Sequence, residues 1–95
     1  MIESIPPESI VSRTIHKDEQ LRAVVFGFDA GQELSEHTSK YAAIIQIISG
    51  EADVSAGDAQ HSLQAGAWLY MTPQLKHSVR AKTPLVMLLT MFGGE

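Results

Sequence analysis

Residues 41–49 read YAAIIQIIS, and this nearly continuous apolar run decides the class of fold. The run has the length of a strand, is rich in β-branched isoleucine and stops at Gly50, so a buried β-strand explains it better than a helix does. Similar runs separated by turn residues lie on both sides, and no stretch has a convincing amphipathic helical pattern. This succession of short apolar runs and turns predicts an all-β sandwich or barrel. The predicted strands are residues 9–16, 21–28, 41–49, 51–55, 60–63, 67–71, 77–81 and 85–92.

The length of 95 residues predicts a single domain, with residues 1–8 as an extended N-terminal lead-in. A domain this small is often marginally stable alone, and association with a second subunit is one common remedy. The last predicted strand has two apolar faces, which predicts that one of them meets a partner in a homodimer. The alternative is that a short N-terminal segment covers that face. The two faces are Leu85, Met87, Leu89 and Met91 on one side, and Val86, Leu88, Thr90 and Phe92 on the other.

Composition and charge exclude several classes of function. The chain is 44% hydrophobic and 19% charged, as a folded globular protein is. Its net charge is −4 and its basic residues are scattered, so we expect no nucleic-acid partner. The absence of cysteine excludes disulfides and thiolate nucleophiles, and it suits a cytoplasmic location. We find no signal peptide and no apolar run of membrane-spanning length, so we expect no membrane partner.

The glycines and histidines that follow residue 30 have a characteristic spacing. Five residues separate Gly31 from His37, Gly50 lies downstream, and Gly66 precedes Pro73 and His77. In this order they resemble the two sequence motifs of the cupin superfamily, over residues 28–92. The proline comes one residue later than in the family's motif, and Gln74 stands where a glycine is usual. The resemblance implies a double-stranded β-helix, a jelly-roll barrel of two antiparallel sheets with a pocket at one end.

The chain departs from the family's motifs at the positions that bind metal. The resemblance implies a divalent metal held by three histidines and one glutamate, but Ser39 and Ala43 occupy two of those positions. His37 and His77 remain, which is fewer than the three or four ligands of a stable site. Glu33 would share a face with His37 if the strand between them were regular. We therefore expect no resident cofactor, with iron, manganese, nickel or zinc on the two histidines as the alternative.

The resemblance implies a pocket lined by His37, Ser39, His77, Ala43 and Phe28. Without a complete metal shell, we expect the histidines to act as polar walls, hydrogen-bonded to each other, to Ser39 or to water. No nucleophile elbow or phosphate-binding loop occurs, so no residue is assigned a catalytic role. The first hypothesis is binding of a small organic molecule in the barrel pocket without a complete metal site. The alternatives are a metal-dependent enzyme of the dioxygenase or isomerase type that uses both histidines, and a dimeric interaction or structural module.

Three other groups of side chains have a structural interpretation. Trp68 and Tyr70 share one strand face, which predicts packing in the core or at an interface, with a place at the pocket mouth as the alternative. Gln46 is the one amide among isoleucines, so it needs a partner if it is buried. His16 and His61 lie in polar stretches near turns, and we expect both at the surface.

Overall fold

The structure is a computed structural model, and it describes residues 4–93. Within that range the chain forms nine strands and no helix, so these residues include no helix that could span a membrane. The two antiparallel sheets have the orders β1-β2-β9-β4-β7 and β3-β8-β5-β6, which confirms the predicted jelly-roll barrel. The strands are β1 (Ile10–Lys17), β2 (Leu21–Phe28), β3 (Glu33–His37), β4 (Ala42–Ser49), β5 (Glu51–Ala56), β6 (Ala59–Gln64), β7 (Trp68–Met71), β8 (His77–Ala81) and β9 (Leu85–Phe92).

The core lies between the two sheets and follows from strand alternation. Leu85 and Met87 of β9 are fully buried, whereas Val86 and Leu88 between and after them are only half-buried. Successive side chains of a strand point to opposite faces, so one face of β9 fills the barrel. The core cluster contains Phe28, Ala43, Ile45, Ile47, Ala52, Val54, Met71, Val79, Ala81, Leu85 and Met87.

The other face of β9 and its neighbours, the outer face of the five-stranded sheet, carries exposed aromatic side chains. Trp68 is 63% exposed and Tyr70 is 50% exposed, so neither packs in the core of this chain. Gln46 lies on the same face and is exposed, so it is not a buried amide that needs a partner within this chain. A groove of about 400 Å³ crosses this face, lined by Ile44, Gln46, Trp68, Thr90 and Phe92.

Residues 1–3 of the predicted N-terminal lead-in lie outside the described residues. Pro7 and Glu8 form a turn, and the Glu8 N–H donates to Asp29 Oδ2 at 2.6 Å. This bond ties the start of the described chain to the end of β2.

Asp18 organises the turn between β1 and β2. Its Oδ1 accepts the N–H groups of Gln20 and Leu21 at 2.8 and 2.9 Å, and its Oδ2 lies 2.8 Å from His16 Nε2. The hydrogen bond from His16, followed by the two backbone N–H groups, lowers the pKa of Asp18 from 3.8 to about 2. His16 is exposed, as predicted.

Candidate functional site

A β-bulge in β3 sets His37 opposite His77. Leu34 pairs with Val79, so an unbroken register would place Glu36 opposite His77. The register shifts between Leu34 and His37 instead, and the extra residue brings His37 to His77. His77 and Val79 are buried on the inner face of the four-stranded sheet, so the paired histidine is brought to that face too.

The two imidazole rings are in contact. Their centroids lie 4.2 Å apart with an interplanar angle of 61°, an edge-to-face arrangement. His77 is only 6% exposed, whereas His37 is exposed. The pair therefore runs from the barrel interior to solvent.

The backbone orients both rings in the same way. His37 Nδ1 lies 2.7 Å from the Ser35 carbonyl oxygen, and His77 Nδ1 lies 3.0 Å from the Leu75 carbonyl oxygen. A carbonyl oxygen only accepts, so each Nδ1 carries a proton and donates it. In the neutral rings the lone pair is then on Nε2, which is left to accept a hydrogen bond or to bind a metal. The rings donate to backbone rather than to each other or to Ser39.

The hydroxyl of Ser39 belongs to a turn. Ser39 Oγ accepts the Tyr41 N–H at 3.1 Å, and the Ser39 carbonyl accepts the Gln74 N–H at 2.7 Å. The second bond joins the segment after β3 to the segment before β8. Gln74 has a φ of 67°, a left-handed conformation that accounts for the family's usual glycine at this position. Ser39 thus positions the two histidine-bearing strands.

The short connections place the histidines at one end of the barrel. Residues 38–41 join the end of β3 to the start of β4, and residues 72–76 join the end of β7 to the start of β8. We call the end where β3 and β7 finish and β4 and β8 begin the histidine end. Ala43 and Met71 pair with each other there, 3% and 1% exposed. Phe28 is fully buried opposite Leu85, at the other end of β2 and β9, so the structure does not bring it to the histidines.

Arg22 is a further residue of the histidine end that the sequence reasoning missed. It pairs with Met91, which pairs with Ala43, so these side chains share one row on the inner face of the five-stranded sheet. Arg22 Nε is buried and has no hydrogen-bond partner in residues 4–93. The signal was available in the sequence, because Arg22 is in phase with Val24, Phe26 and Phe28 along one strand face.

The donors present do not fit the metal shell that the resemblance implies. No cluster of three or more histidine, cysteine, aspartate or glutamate side chains suited to a metal occurs between residues 4 and 93. Glu33 pairs with Arg80, and because of the bulge it does not share the face of His37. His61 pairs with Val54 on the edge strand β6 and is half-buried rather than at the surface. Two imidazole nitrogens fall short of the usual three or four ligands.

Comparison with known proteins agrees with this architecture. The family model for the cupin domain matches residues 24–91. A search of curated proteins finds no match. Among solved structures, an RmlC-like cupin protein from Desulfovibrio desulfuricans is 30% identical, with a TM-score of 0.86 over 97% of this chain and 92% of that chain.

Two further solved structures show how widely the fold is shared. A conserved protein of unknown function from Streptococcus pyogenes is 28% identical, with a TM-score of 0.88 over 97% of this chain and 81% of that one. An oxalate decarboxylase variant from Bacillus subtilis is 23% identical, with a TM-score of 0.81 over 87% of this chain and 25% of that one. At this identity, the likeness to the oxalate decarboxylase shows a shared fold only.

Proposed function

The chain belongs to the cupin family, and we propose that it binds a small organic molecule at the histidine end of its barrel without a complete metal site. The orientation of His37 and His77 carries the proposal. Both rings donate Nδ1–H to backbone carbonyls, which leaves two Nε2 acceptors of defined direction. A ligand that brings O–H or N–H donors satisfies both acceptors.

The surroundings of the histidines support binding of a molecule with an apolar part. Ala43 and Met71 are buried on the facing sheet, and neither carries a charge. Binding sites for small molecules are mostly apolar with a few placed polar groups, which describes this set of residues. His37, being exposed, would meet an incoming ligand first, and the buried His77 would hold its inner end.

A metal-dependent cupin enzyme is the second candidate, and one observation favours it. Histidines that bind metals commonly donate their other ring N–H to a carbonyl or carboxylate, as His37 and His77 do. Water or substrate would then have to supply the remaining ligands. The structural likeness to an oxalate decarboxylase shows that an enzyme shares the fold. The sequence identity of 23% supports nothing beyond the fold.

We also propose that the protein is a homodimer built on the outer face of the five-stranded sheet. Trp68, Tyr70 and Phe92 are 63%, 50% and 41% exposed there. Together they expose on the order of 300 Å² of aromatic surface, a sizeable part of the roughly 800 Å² per partner that a stable interface buries. Trp68 and Phe92 also line the groove on this face, and all the residues that line it are uncharged. A second copy can therefore pack on the groove without burying an unpaired charge.

A purely structural role for that dimer remains the third candidate, and a ligand-binding experiment separates it from the first.

The absence of cysteine supports a cytoplasmic location, which stays a prediction.

The test of the proposed function is a thermal-shift screen of chelator-treated protein against small organic acids and aromatics. We expect at least one compound to raise the Tm in a concentration-dependent way. The substitution His37→Leu should abolish that rise, because it removes one Nε2 acceptor and puts no other acceptor in its place. His16→Leu is the matched control and should leave the rise unchanged, since His16 is bound to Asp18 in a turn. Failure of every compound, or a rise that His37→Leu and His77→Leu both retain, would contradict the proposal.

A further inference from the structure

We propose that the ligand is a small hydroxycarboxylic acid, and that Arg22 binds its carboxylate. This inference rests on the proposed function, because it names the class of ligand for the same end of the barrel.

The placement of Arg22 carries the first step. The cross-strand row Arg22–Met91–Ala43–Met71 runs over the inner face of the five-stranded sheet. Ala43 and Met71 belong to the core cluster, and Met91 packs against it. Arg22 is half-buried at the end of that row, on the side of the barrel where β3 finishes and β8 begins. The guanidinium therefore lies at the same end as the histidines, on the facing sheet.

The second step concerns the missing counter-charge of Arg22. Arg22 Nε is buried without a hydrogen-bond partner, and no aspartate or glutamate of residues 4–93 forms an ion pair with Arg22. An arginine side chain stays charged at any physiological pH. A half-buried charge without a counter-charge costs free energy, so an anion bound at the guanidinium stabilises this arrangement. The counter-ion of Arg22 therefore has to come from a bound ligand.

Charge and donor geometry select a carboxylate. The two terminal N–H groups of a guanidinium form a fork that matches the two oxygens of a carboxylate. Arg22 is the one cation of this row, so the single charge of a carboxylate balances it. A phosphate group carries closer to two negative charges, more than Arg22 alone balances.

The histidines select the second group of the ligand. Their two Nε2 atoms accept hydrogen bonds, so they favour a hydroxyl over another anionic oxygen. The two sheets of such a barrel lie about 10 Å apart, and side chains from both sides fill much of that distance. A ligand that meets both sheets therefore needs only a few carbon atoms between a carboxylate toward Arg22 and a hydroxyl toward His37 and His77.

The experiment is an NMR titration of the full chain with four probes: lactate, propionate, propane-1,2-diol and inorganic phosphate. The first three isolate the carboxylate and the hydroxyl on one carbon skeleton. We expect lactate to bind tightest, propionate more weakly, and the diol and phosphate weakest. Arg22→Met should weaken lactate binding at least roughly tenfold, the loss expected of a charge-assisted hydrogen bond. Arg80→Met is the matched control, since Arg80 is exposed and pairs with Glu33 on another strand.

The stability of the Arg22→Met variant separates a binding role from a structural one. Removing a half-buried charge without an ion-pair partner should keep or raise the Tm of the unliganded protein. A clearly lower Tm, or lactate binding unchanged in Arg22→Met, would overturn the inference. If an uncharged compound from the thermal-shift screen binds through His37 and lactate does not bind, the inference fails while the proposed function stands. If no organic compound binds at all, both fail.

Discussion

His37 and His77 face each other across β3 and β8, and each Nδ1 donates to the carbonyl oxygen two residues earlier in its own segment. The ring of each histidine is thus oriented by its own backbone, independently of the other ring. With the centroids 4.2 Å apart, the two rings are in contact at the histidine end.

The first prediction concerns the tautomers of these rings. We expect neutral His37 and His77 to be protonated on Nδ1, because the Ser35 and Leu75 carbonyls accept from that atom. His16 should be protonated on Nε2, which lies 2.8 Å from Asp18 Oδ2, and it serves as the internal control. Long-range ¹H–¹⁵N correlation spectra of the imidazole nitrogens measure the tautomer directly. Protonation of both rings on Nε2 would contradict the orientation described.

The second prediction concerns the corner between β4 and β5. Gly50 has a φ of 90°, and a Cβ there would collide with the Pro84 carbonyl oxygen, which is backbone and cannot move aside. We expect Gly50→Ala to lower the free energy of unfolding by about 2–4 kcal/mol. Gly66 has a φ of 92°, and a Cβ there would meet no atom within 4 Å, so Gly66→Ala should cost only about 1–2 kcal/mol. Urea denaturation measures both, and equal losses would show that the collision is absent.

The sequence predicted most of the fold because turn residues separate apolar runs of strand length. The bounds predicted for residues 77–81 and 85–92 agree with β8 and β9 at both ends. The predicted strands did not include Glu33–His37, because the sequence ELSEH has no alternation of apolar and polar residues. It is a strand because β8 pairs with it, and that pairing is a long-range property.

The candidate site was predictable only in part. The spacing that resembles the cupin motifs singled out His37 and His77, whose rings are in contact. The bulge in β3 was not predictable, because a register shift depends on the partner strand. The bulge also removed Glu33 from the face of His37. The sequence left the burial of Gln46 open, because its neighbours are core isoleucines; its own face of the sheet is uncovered in this chain.

The third prediction concerns the outer face of the five-stranded sheet. We expect Trp68→Glu to convert the proposed dimer to a monomer, or to weaken it at least roughly thirtyfold, because large aromatic residues dominate such interfaces. Ile15→Glu is the control, since Ile15 is 47% exposed on β1 at the opposite edge of that sheet. Analytical ultracentrifugation measures the association constant. A wild-type protein that is monomeric at micromolar concentration would contradict the proposed homodimer.

The most direct test of the proposed function is the metal content per chain, measured by elemental analysis of untagged protein purified without chelator or added metal. We predict much less than one iron, manganese, nickel or zinc ion per chain, because His37 and His77 provide only two ligands. Near one ion per chain, lost in His37→Ala and in His77→Ala, would contradict the account and favour the metal-dependent enzyme.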